Sequence, residues 1–457
     1  MKKQDFNLEA FGVGIPEVLL PRAELDLGTW AVVACDQYSS EKEYWERVRD
    51  FVGQKPSTLN LIFPECYLED EDAQERIERI HAAMDLYLNK GYLESPGKGF
   101  VLVERSTPYV ASPRLGLLVL LDLERYDFSE GTKSLIRPTE GTILSRLPPR
   151  MAIRRAAALE LPHVMVLVDD PGGTLVETLY KRKEYYPRLY DFELMEGGGH
   201  ARSWLLNDKA SLDLIGSALR NLADPEAFAL RHGSDEPLLF AVGDGNHSLA
   251  TAKAIWEEVK AELHDSALTD SEKENLYRKH PARYALAEIV NIHNAGLPFH
   301  PIHRLLFNLD VGDFFATLKA EGVELLHLPD ANQAFNRCDE ADPESAHRIA
   351  WVMRDRAGLM RFTAPQAKLA VGSLQNFLDR YLKTRPGCGI DYIHGSGSLL
   401  SLASRPGSLG LYCPPVDKAS FFSTIVRDGV MPRKSFSMGE APEKRFYIEA
   451  RRIKNGF

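Results

Sequence analysis

The chain of 457 residues contains 55 lysines and arginines against 65 aspartates and glutamates, so its formal net charge is −10, and 44% of its residues are hydrophobic. This composition is that of an ordinary globular protein and excludes disordered, collagen-like and coiled-coil classes. The length predicts two or three domains. The acidic balance argues against a protein whose surface is devoted to nucleic acid, because duplex binding requires a basic footprint.

The start of the chain carries Asp5 and Glu9 where a signal peptide would be apolar. The most apolar run, residues 115–123, is too short to span a bilayer and contains Asp122. The five cysteines are far apart and form no CxxC pair, which favours reduced thiols over a disulfide framework or a zinc site. We therefore expect a cytoplasmic protein that does not associate with membranes.

Hydrophobic periodicity predicts an alternation of helices and strands. Helical spacing occurs over residues 72–90 and 212–222, and strand-length apolar runs occur over residues 100–104, 115–123 and 164–168. No segment of 20 to 50 residues repeats, which excludes a solenoid or a propeller. The alternation predicts a mixed α/β (α+β) fold.

Two segments have the composition of boundaries or loops. Residues 224–237 mix charged residues with glycine and proline, and residues 384–415 are rich in glycine, serine and proline. We interpret the second segment as a linker or as a loop-rich segment that lines a site. The second interpretation is favoured because the segment carries Asp391, Tyr392 and His394.

A basic segment, residues 136–155, stands out in this acidic chain. Its only acid is Glu140, and its net charge is +4 because it contains Arg137, Arg146, Arg150, Arg154 and Arg155. Two prolines at 148 and 149 suit a helix start, which would place Arg150 and Arg154 on one face. Guanidinium groups match phosphate oxygens, so Arg137 and Arg150 are predicted to clamp a phosphate. The alternative is a solvated face paired with carboxylates.

Glu140 is expected to stay ionised because arginines surround it in the sequence. In a phosphotransferase such a carboxylate accepts the proton of the acceptor hydroxyl, since phosphoryl transfer needs mainly positioning and charge neutralisation. The alternative is a structural glutamate held in an ion pair.

Residues 238–263 predict a strand, a glycine turn and an amphipathic helix that begins near residues 246–248. The first amides of a helix have no intrahelical partner and carry partial positive charge, so Gly243, Gly245, Asn246 and Ser248 are predicted to bind phosphate. The alternative is that Asp244 or Asn246 only caps the helix.

His247 is not a preferred capping residue, and it stands beside Asp244. An aspartate and a histidine together can ligate a metal–phosphate or position a proton donor. Further along the chain, His303 and Arg304 are interpreted as a second phosphate contact. A metal site on His300 and His303 is disfavoured because no carboxylate stands at the spacing of a metal motif.

Taken together, the motifs resemble one family, which is known as domain of unknown function 1015. They are ACDQYSSEKEYW (34–45), RPTEGT (137–142), DGNHSLATAK (244–253), GLPFHPIHRLL (296–306) and MPRKS (431–435). The central motif of that family is usually DGHHR, which is similar to the motif of the free-serine kinases built on the ParB/sulfiredoxin-like fold. The resemblance implies a ParB/sulfiredoxin-like nucleotide-binding core over residues 131–310, with additional regions at 1–130 and 311–457.

Within the central motif, Asp244, Gly245 and His247 match the family pattern. Asn246 replaces its first histidine, and Ser248 replaces its arginine, which removes one phosphate contact. The resemblance implies a nucleotide (ATP, ADP or CTP) bound with Mg²⁺, and Asp244 is the residue expected to hold that metal.

Outside the central motif, Glu140 matches the glutamate of the family's TE segment, and we predict that it is the base. Lys434 of the MPRKS motif is expected to add positive charge to the phosphate site.

These expectations favour a nucleotide-dependent kinase that acts on a small hydroxyl-bearing metabolite such as free serine. The alternative is a non-catalytic nucleotide-binding switch of the ParB type. A DNA-associated nuclease ranks last, because the net charge is −10 and residues 136–155 are the only basic stretch. The expected partners are thus a nucleotide and a small metabolite, without nucleic acid or membrane, and assembly into a homo-oligomer is left open.

Overall fold

The structure, a computed structural model, describes residues 7–340, 342 and 344–454, so Asp5 lies outside it. The chain forms two compact units, one of Met1–Leu297 with Glu440–Phe457 and the other of Pro298–Gly439. The first unit is therefore built from two separate segments of the chain. The boundaries expected near residues 130 and 310 stay a prediction. Within the described residues, no helix is long and apolar enough to cross a bilayer.

The helices and strands are numbered here in chain order. The strands are β1 Val13–Gly14, β2 Leu20–Pro21, β3 Val32–Val33, β4 Leu93–Glu94, β5 Phe100–Thr107, β6 Val110–Asp122, β7 Ile136–Pro138, β8 Leu159–Glu160, β9 Val164–Val168, β10 Arg188–Leu194, β11 Gly199–Leu206, β12 Phe240–Asp244, β13 Tyr284–Asn291, β14 Phe299–Phe307, β15 Glu324–Leu328, β16 His347–Val352, β17 Ala357–Phe362, β18 Gly389–His394, β19 Leu409–Tyr412, β20 Phe436–Met438, β21 Phe446–Tyr447 and β22 Arg451–Arg452. The α-helices are α1 Leu27–Trp30, α2 Lys42–Val52, α3 Ala73–Asn89, α4 Leu147–Arg155, α5 Val176–Tyr180, α6 Lys209–Leu222, α7 Pro225–His232, α8 Asn246–Asp265, α9 Asp270–Lys279, α10 Val311–Ala320, α11 Ala331–Asp339, α12 Ala370–Lys383, α13 Ser396–Ala403 and α14 Lys418–Asp428.

The mixed α/β fold predicted from the periodicity is confirmed. The helix expected over residues 72–90 is α3, which buries Ile80, Met84 and Tyr87 on one face. Residues 224–237, whose composition is that of a boundary, include helix α7. Asp224 caps this helix and Pro225 takes its first position, where proline is favoured.

The expectation that residues 384–415 are loop-rich is wrong, and the role of this segment in lining a site stays a prediction. The segment forms β18, α13 and β19. Strands β18 and β19 both pair with β14, and β19 is buried along its whole length. The glycines and serines therefore belong to short, packed elements of the second unit.

A mixed nine-stranded sheet is the centre of the first unit. Its strand order is β10-β11-β5-β6-β13-β9-β12-β7, and β1 pairs with β6. The neighbouring pairs β13–β9 and β12–β7 are parallel, and the other pairs are antiparallel. One face of the sheet packs against α6 and α8, where Leu219, Leu249 and Trp256 are buried. This arrangement places the short strand β7 at the edge, beside β12.

The returning segment, residues 440–454, is called the carboxy-terminal strap below. Its strand β21 pairs with β3 and its strand β22 pairs with β8. Phe446, Ile448 and Ala450 of the strap are buried in a second core that includes Trp30. The strap is therefore part of the interior of the first unit.

The second unit is a seven-stranded antiparallel sheet with helices α10 to α14. Its strand order is β15-β17-β16-β19-β14-β18, and β20 pairs with β14. Two buried clusters pack on it, one around Phe314 and Phe377 and the other around Phe335 and Leu399.

Candidate functional site

Two of the sequence motifs meet at one edge of the first sheet. Strand β7 runs parallel to β12, and Pro138 lies opposite Val242. The carboxyl ends of parallel neighbours reach the same edge, so the residues that follow each strand lie side by side. These are the 139–143 loop and the glycine turn, which we define as residues 243–248.

Hydrogen bonds join the loop to the turn at two places. The Thr139 N–H donates to Asn246 Oδ1 over 3.2 Å, and Asn246 Nδ2 donates to Thr139 Oγ1 over 3.3 Å. The Ile143 N–H donates to His247 Nε2 over 3.3 Å, so the proton of the neutral ring resides on Nδ1. Glu140 is half-buried and lies between the two attachment points.

The glycine turn has a backbone that only glycine suits at one position. Gly245 has φ +81°, and a Cβ there would lie 3.0 Å from His163 Cδ2 and 3.1 Å from Val164 Cα. Gly243 is the extra residue where the pairing of β12 with β9 shifts register. These two glycines bring the start of α8 close to the sheet edge.

The capping alternative for Asp244 and Asn246 is wrong. The residue at the cap of α8 is Gly245, which has no side chain to accept from the first amides. Asp244 Oδ1 accepts from the N–H of the next residue, Gly245, over 3.0 Å. The side-chain amide of Asn246 bonds to Thr139. The helix therefore begins with the N–H groups of Asn246, His247 and Ser248, and the first amides of a helix face its N-terminal end.

A lysine of the carboxy-terminal strap reaches the turn. Lys444 Nζ lies 3.0 Å from Asp244 Oδ2, and both side chains are mostly shielded from solvent. The sequence motifs did not include Lys444. Its position depends on the return of the chain to the first unit after 142 residues of the second unit, Pro298–Gly439.

A second polar group adjoins Gly245. His163 Nδ1 lies 2.5 Å from the Tyr447 hydroxyl, which is also 3.3 Å from Cys35 Sγ. His163 Nε2 lies 3.6 Å from Asp36 Oδ2. His163 comes to this edge because it precedes β9, and β9 runs antiparallel to β12, so its start lies beside the end of β12.

The electrostatics of this group favour a charged pair. Burial opposes both charges, yet His163 lowers the pKa of the Asp36 carboxyl. Burial also opposes the imidazolium, but the Asp36 carboxylate raises the pKa of His163 well above its usual value. Burial raises the pKa of Tyr447, which stays neutral. The edge of the glycine turn thus holds an imidazolium, an ammonium and two carboxylates.

The two arginines predicted to clamp a phosphate, Arg137 and Arg150, form contacts within the protein. Arg137 is buried, and its guanidinium donates to the backbone carbonyls of Ser134, Glu236 and Pro237. Arg150 forms an ion pair with Glu65. Several donors of both guanidiniums are thus used within the protein, and the phosphate clamp stays a prediction.

Arg154 and Arg155 form ion pairs with carboxylates, as the alternative interpretation of the segment expects. Arg154 Nη2 lies 2.5 Å from Glu160 Oε2, and Arg155 Nη2 lies 2.8 Å from Glu258 Oε1. Composition revealed the excess of charge in the segment, but the acidic partners lie elsewhere in the chain.

The predicted second phosphate contact belongs to the second unit, where its groups serve the packing of that unit. Arg304 is fully buried, and its guanidinium donates to the carbonyls of Arg433 over 3.2 Å and Lys434 over 3.0 Å. His303 is buried, accepts from the Cys413 N–H over 3.2 Å and stacks on Tyr412. His303 and Arg304 thus bind groups of the second unit, and the phosphate contacts expected of His303, Arg304 and Lys434 stay a prediction.

His303 should make the stability of the second unit depend on pH. Burial, and then the charge of Arg304, lower the pKa of His303 to about 4. The neutral ring is favoured in the native state, so its contribution is complete above pH 6.5 and is lost as the pH falls toward 4. Between pH 7.5 and pH 5 we expect a loss of about 2 kcal/mol in the free energy of unfolding.

The measurement is denaturant unfolding of the wild type and of His303→Gln at both pH values. The variant should lose about 2 kcal/mol less than the wild type over this interval. His327→Gln, at an exposed histidine of the same unit, is the matched control and should behave as the wild type. Equal pH dependence in wild type and His303→Gln would contradict the prediction.

Asp244 is the residue predicted to hold a metal ion. Mg²⁺ in phosphate sites takes one or two carboxylates and completes its shell with waters and phosphate oxygens. In the described part of the chain, no group of three or more histidine, cysteine or acidic residues forms a metal cage. A single carboxylate such as Asp244 matches what Mg²⁺ takes from a protein when phosphate oxygens and waters complete its shell.

Comparison with solved structures gives distant similarities. A free serine kinase in complex with AMP is 10% identical, with 74% of this chain and 92% of that chain covered and a TM-score of 0.36. A conserved hypothetical protein from Pyrococcus furiosus is 10% identical, with 70% and 89% covered and a TM-score of 0.33. SbnI from Staphylococcus aureus is 12% identical, with 70% and 82% covered and a TM-score of 0.33. No curated protein matches the chain significantly.

The match to a protein family is extensive. The family model described as protein of unknown function (DUF1015) matches residues 18–381, which include the 139–143 loop, the glycine turn, Asp36 and His163. The chain belongs to the DUF1015 family.

Proposed function

We propose that the protein binds a nucleotide at the glycine turn and transfers a phosphoryl group to a small hydroxyl-bearing metabolite, of which free serine is the first candidate. The observation that carries the proposal is the paired attachment of the 139–143 loop to the turn, through Thr139 with Asn246 and Ile143 with His247. This attachment holds a carboxylate residue, Glu140, next to the start of a helix.

The start of α8 is suited to an anion. Its first amides point away from the helix without intrahelical acceptors, and the aligned peptide dipoles add partial positive charge there. The cap residue is a glycine, Gly245, so no side chain stands between these amides and a ligand. Phosphate groups bind in this way at glycine turns that lead into a helix. We assign the nucleotide phosphates to the N–H groups of Asn246, His247 and Ser248.

The acceptor hydroxyl is assigned to the 139–143 loop. Glu140 is the acid of that loop, and in the proposed reaction its carboxylate receives the proton of the attacking hydroxyl. Asp244 would hold Mg²⁺ together with the phosphates, and the metal would neutralise phosphate charge. His247 positions the loop through its bond from the Ile143 N–H.

A nucleotide-binding experiment tests the proposal. ATP, ADP and CTP are each titrated by calorimetry, with and without Mg²⁺, into the wild type and into His247→Ala. We expect at least one nucleotide to bind the wild type, and its affinity for His247→Ala to be about tenfold lower, because a polar contact near the phosphates is lost.

The matched control is His264→Ala, which alters an exposed histidine at the other end of the same helix, α8. This variant should bind the nucleotide as the wild type does. The phosphate site at the glycine turn would be contradicted if none of the three nucleotides bound, or if His247→Ala bound them with unchanged affinity.

A further inference from the structure

The carboxy-terminal strap positions Lys444 with little freedom of the backbone. On the side toward residue 440, Arg114 Nη1 donates to the Glu443 carbonyl over 2.8 Å, and Arg105 Nη2 donates to the Pro442 carbonyl over 3.0 Å. Both arginines belong to the central sheet of the first unit. The chain is therefore attached to the sheet immediately before Lys444.

The strap is also fixed immediately after Lys444. Arg445 is buried and forms ion pairs with Glu288 and Glu449, and its Nε donates to the Pro162 carbonyl over 2.8 Å. Pro162 precedes His163, so this bond ties the strap to the segment beside the glycine turn. Lys444 is thus held at the turn by anchors on both of its neighbours.

The side chain of Lys444 lies where a phosphate-bound metal would compete with it. Its ammonium is 3.0 Å from Asp244 Oδ2, and the relative exposures of the two side chains are 12% and 28%. Asp244 is the residue that directly precedes the cap of α8. An ammonium at this distance satisfies the carboxylate as long as no other cation is bound.

We propose that Lys444 is a phosphate-binding residue, which neutralises Asp244 in the nucleotide-free protein and turns to the phosphate oxygens when a nucleotide binds. The inference rests on the proposed function, and it adds a residue outside the segment that the family model matches. When Lys444 turns to the phosphates, Asp244 becomes available to the metal that accompanies them. Lysine suits this role because its flexible stem allows the ammonium to move between two partners about one side-chain length apart.

Two substitutions should change nucleotide affinity in opposite directions when EDTA removes the metal. Lys444→Gln keeps a donor for Asp244 but loses the charge, so affinity should fall about tenfold. Asp244→Asn removes the competing carboxylate, so Lys444 serves the phosphates alone and affinity should rise about threefold. With Mg²⁺ present, Asp244→Asn should lose the gain in affinity that the metal gives to the wild type.

The experiment is calorimetry with ATP, ADP and CTP on the intact protein, in EDTA and in Mg²⁺. Lys444→Arg keeps the charge and should retain most of the affinity, and Lys454→Gln, at an exposed lysine of the same strap, is the neutral control. The melting temperature of each variant, measured without ligand, shows that it is folded.

The outcomes separate the two proposals. If the wild type binds one of the nucleotides and Lys444→Gln binds it equally well in EDTA, the role of Lys444 is overturned and the proposed function stands. If Lys444→Gln does not fold, a fall in affinity for Asp244→Asn in EDTA overturns the role as well. If the wild type binds none of the three nucleotides under either condition, the proposed function itself fails.

Discussion

Replacement of Arg445 by alanine is expected to lower the free energy of unfolding by about 3–5 kcal/mol. The guanidinium pairs with Glu288 and Glu449, whose side chains are fully buried, and it is itself only 5% exposed. Without it, two buried carboxylates lose their principal counter-charge, and the cost of burying an uncompensated charge is large. Denaturant unfolding at pH 7 measures the effect.

The matched control is Arg452→Ala, which removes an exposed arginine seven residues further along the strap and should change stability by less than about 0.5 kcal/mol. Arg445→Lys keeps the charge but not the forked geometry, so its loss should be intermediate. A loss below about 1 kcal/mol for Arg445→Ala would contradict the view that the strap is an internal element of the first unit.

The same ion pairs connect stability to the candidate site. Arg445 follows Lys444 directly, and Tyr447, two residues further on, bonds to His163 beside the glycine turn. Loosening the strap should therefore weaken nucleotide binding as well as folding. Any comparison of Arg445 variants in binding experiments must be made at a temperature where each variant is folded.

The sequence predicted those helices and turns that depend mainly on residues within the same short segment. Helix α3 and the start of α8 followed from spacing and turn chemistry, because apolar positions on one face and a glycine before the helix act locally. Residues 384–415 failed this kind of prediction. Their strands form by pairing with β14, about 80 to 110 positions earlier in the chain, and their glycines gave a loop-like composition.

The candidate site was predicted in part for the same reason. The glycine turn and the 139–143 loop each had a recognisable composition, and the pairing of β7 with β12 then placed them together. His163, Lys444 and Tyr447 lacked such a signal, since a single histidine, lysine or tyrosine acquires its role from distant residues. Lys444 meets Asp244 across 200 positions of the chain.

Composition alone does not show which groups the arginines of residues 137–155 bind. The excess of positive charge between Arg137 and Arg155 was correctly identified, but the sequence does not say where the compensating groups lie. Arg150 pairs with Glu65, 85 positions earlier, and the guanidinium of Arg137 donates hydrogen bonds to backbone carbonyls. In this structure four guanidiniums of the cluster, those of Arg137, Arg150, Arg154 and Arg155, bind other groups of the protein.

Glu140→Gln is expected to lower the turnover number by about 10²–10⁴-fold and to leave nucleotide affinity within about twofold of the wild type. The substitution keeps the size of the side chain and removes its ability to take a proton. The loop stays attached through Thr139 and Ile143, whose bonds to the glycine turn do not involve the carboxylate. The assay is formation of phosphoserine from free serine with ATP or ADP as donor, alongside calorimetry with the same nucleotide.

Glu130→Gln, at an exposed glutamate in the same unit, is the control and should keep full turnover. The division of the effect between turnover and affinity identifies the role of Glu140. A general base changes turnover alone, whereas a glutamate that only supports the loop would change the affinity for nucleotide together with the melting temperature. If Glu140→Gln phosphorylates serine at the wild-type rate, Glu140 is not the base. If the wild type binds nucleotide but phosphorylates no hydroxyl compound, the glycine turn serves a binding switch instead of a phosphotransferase.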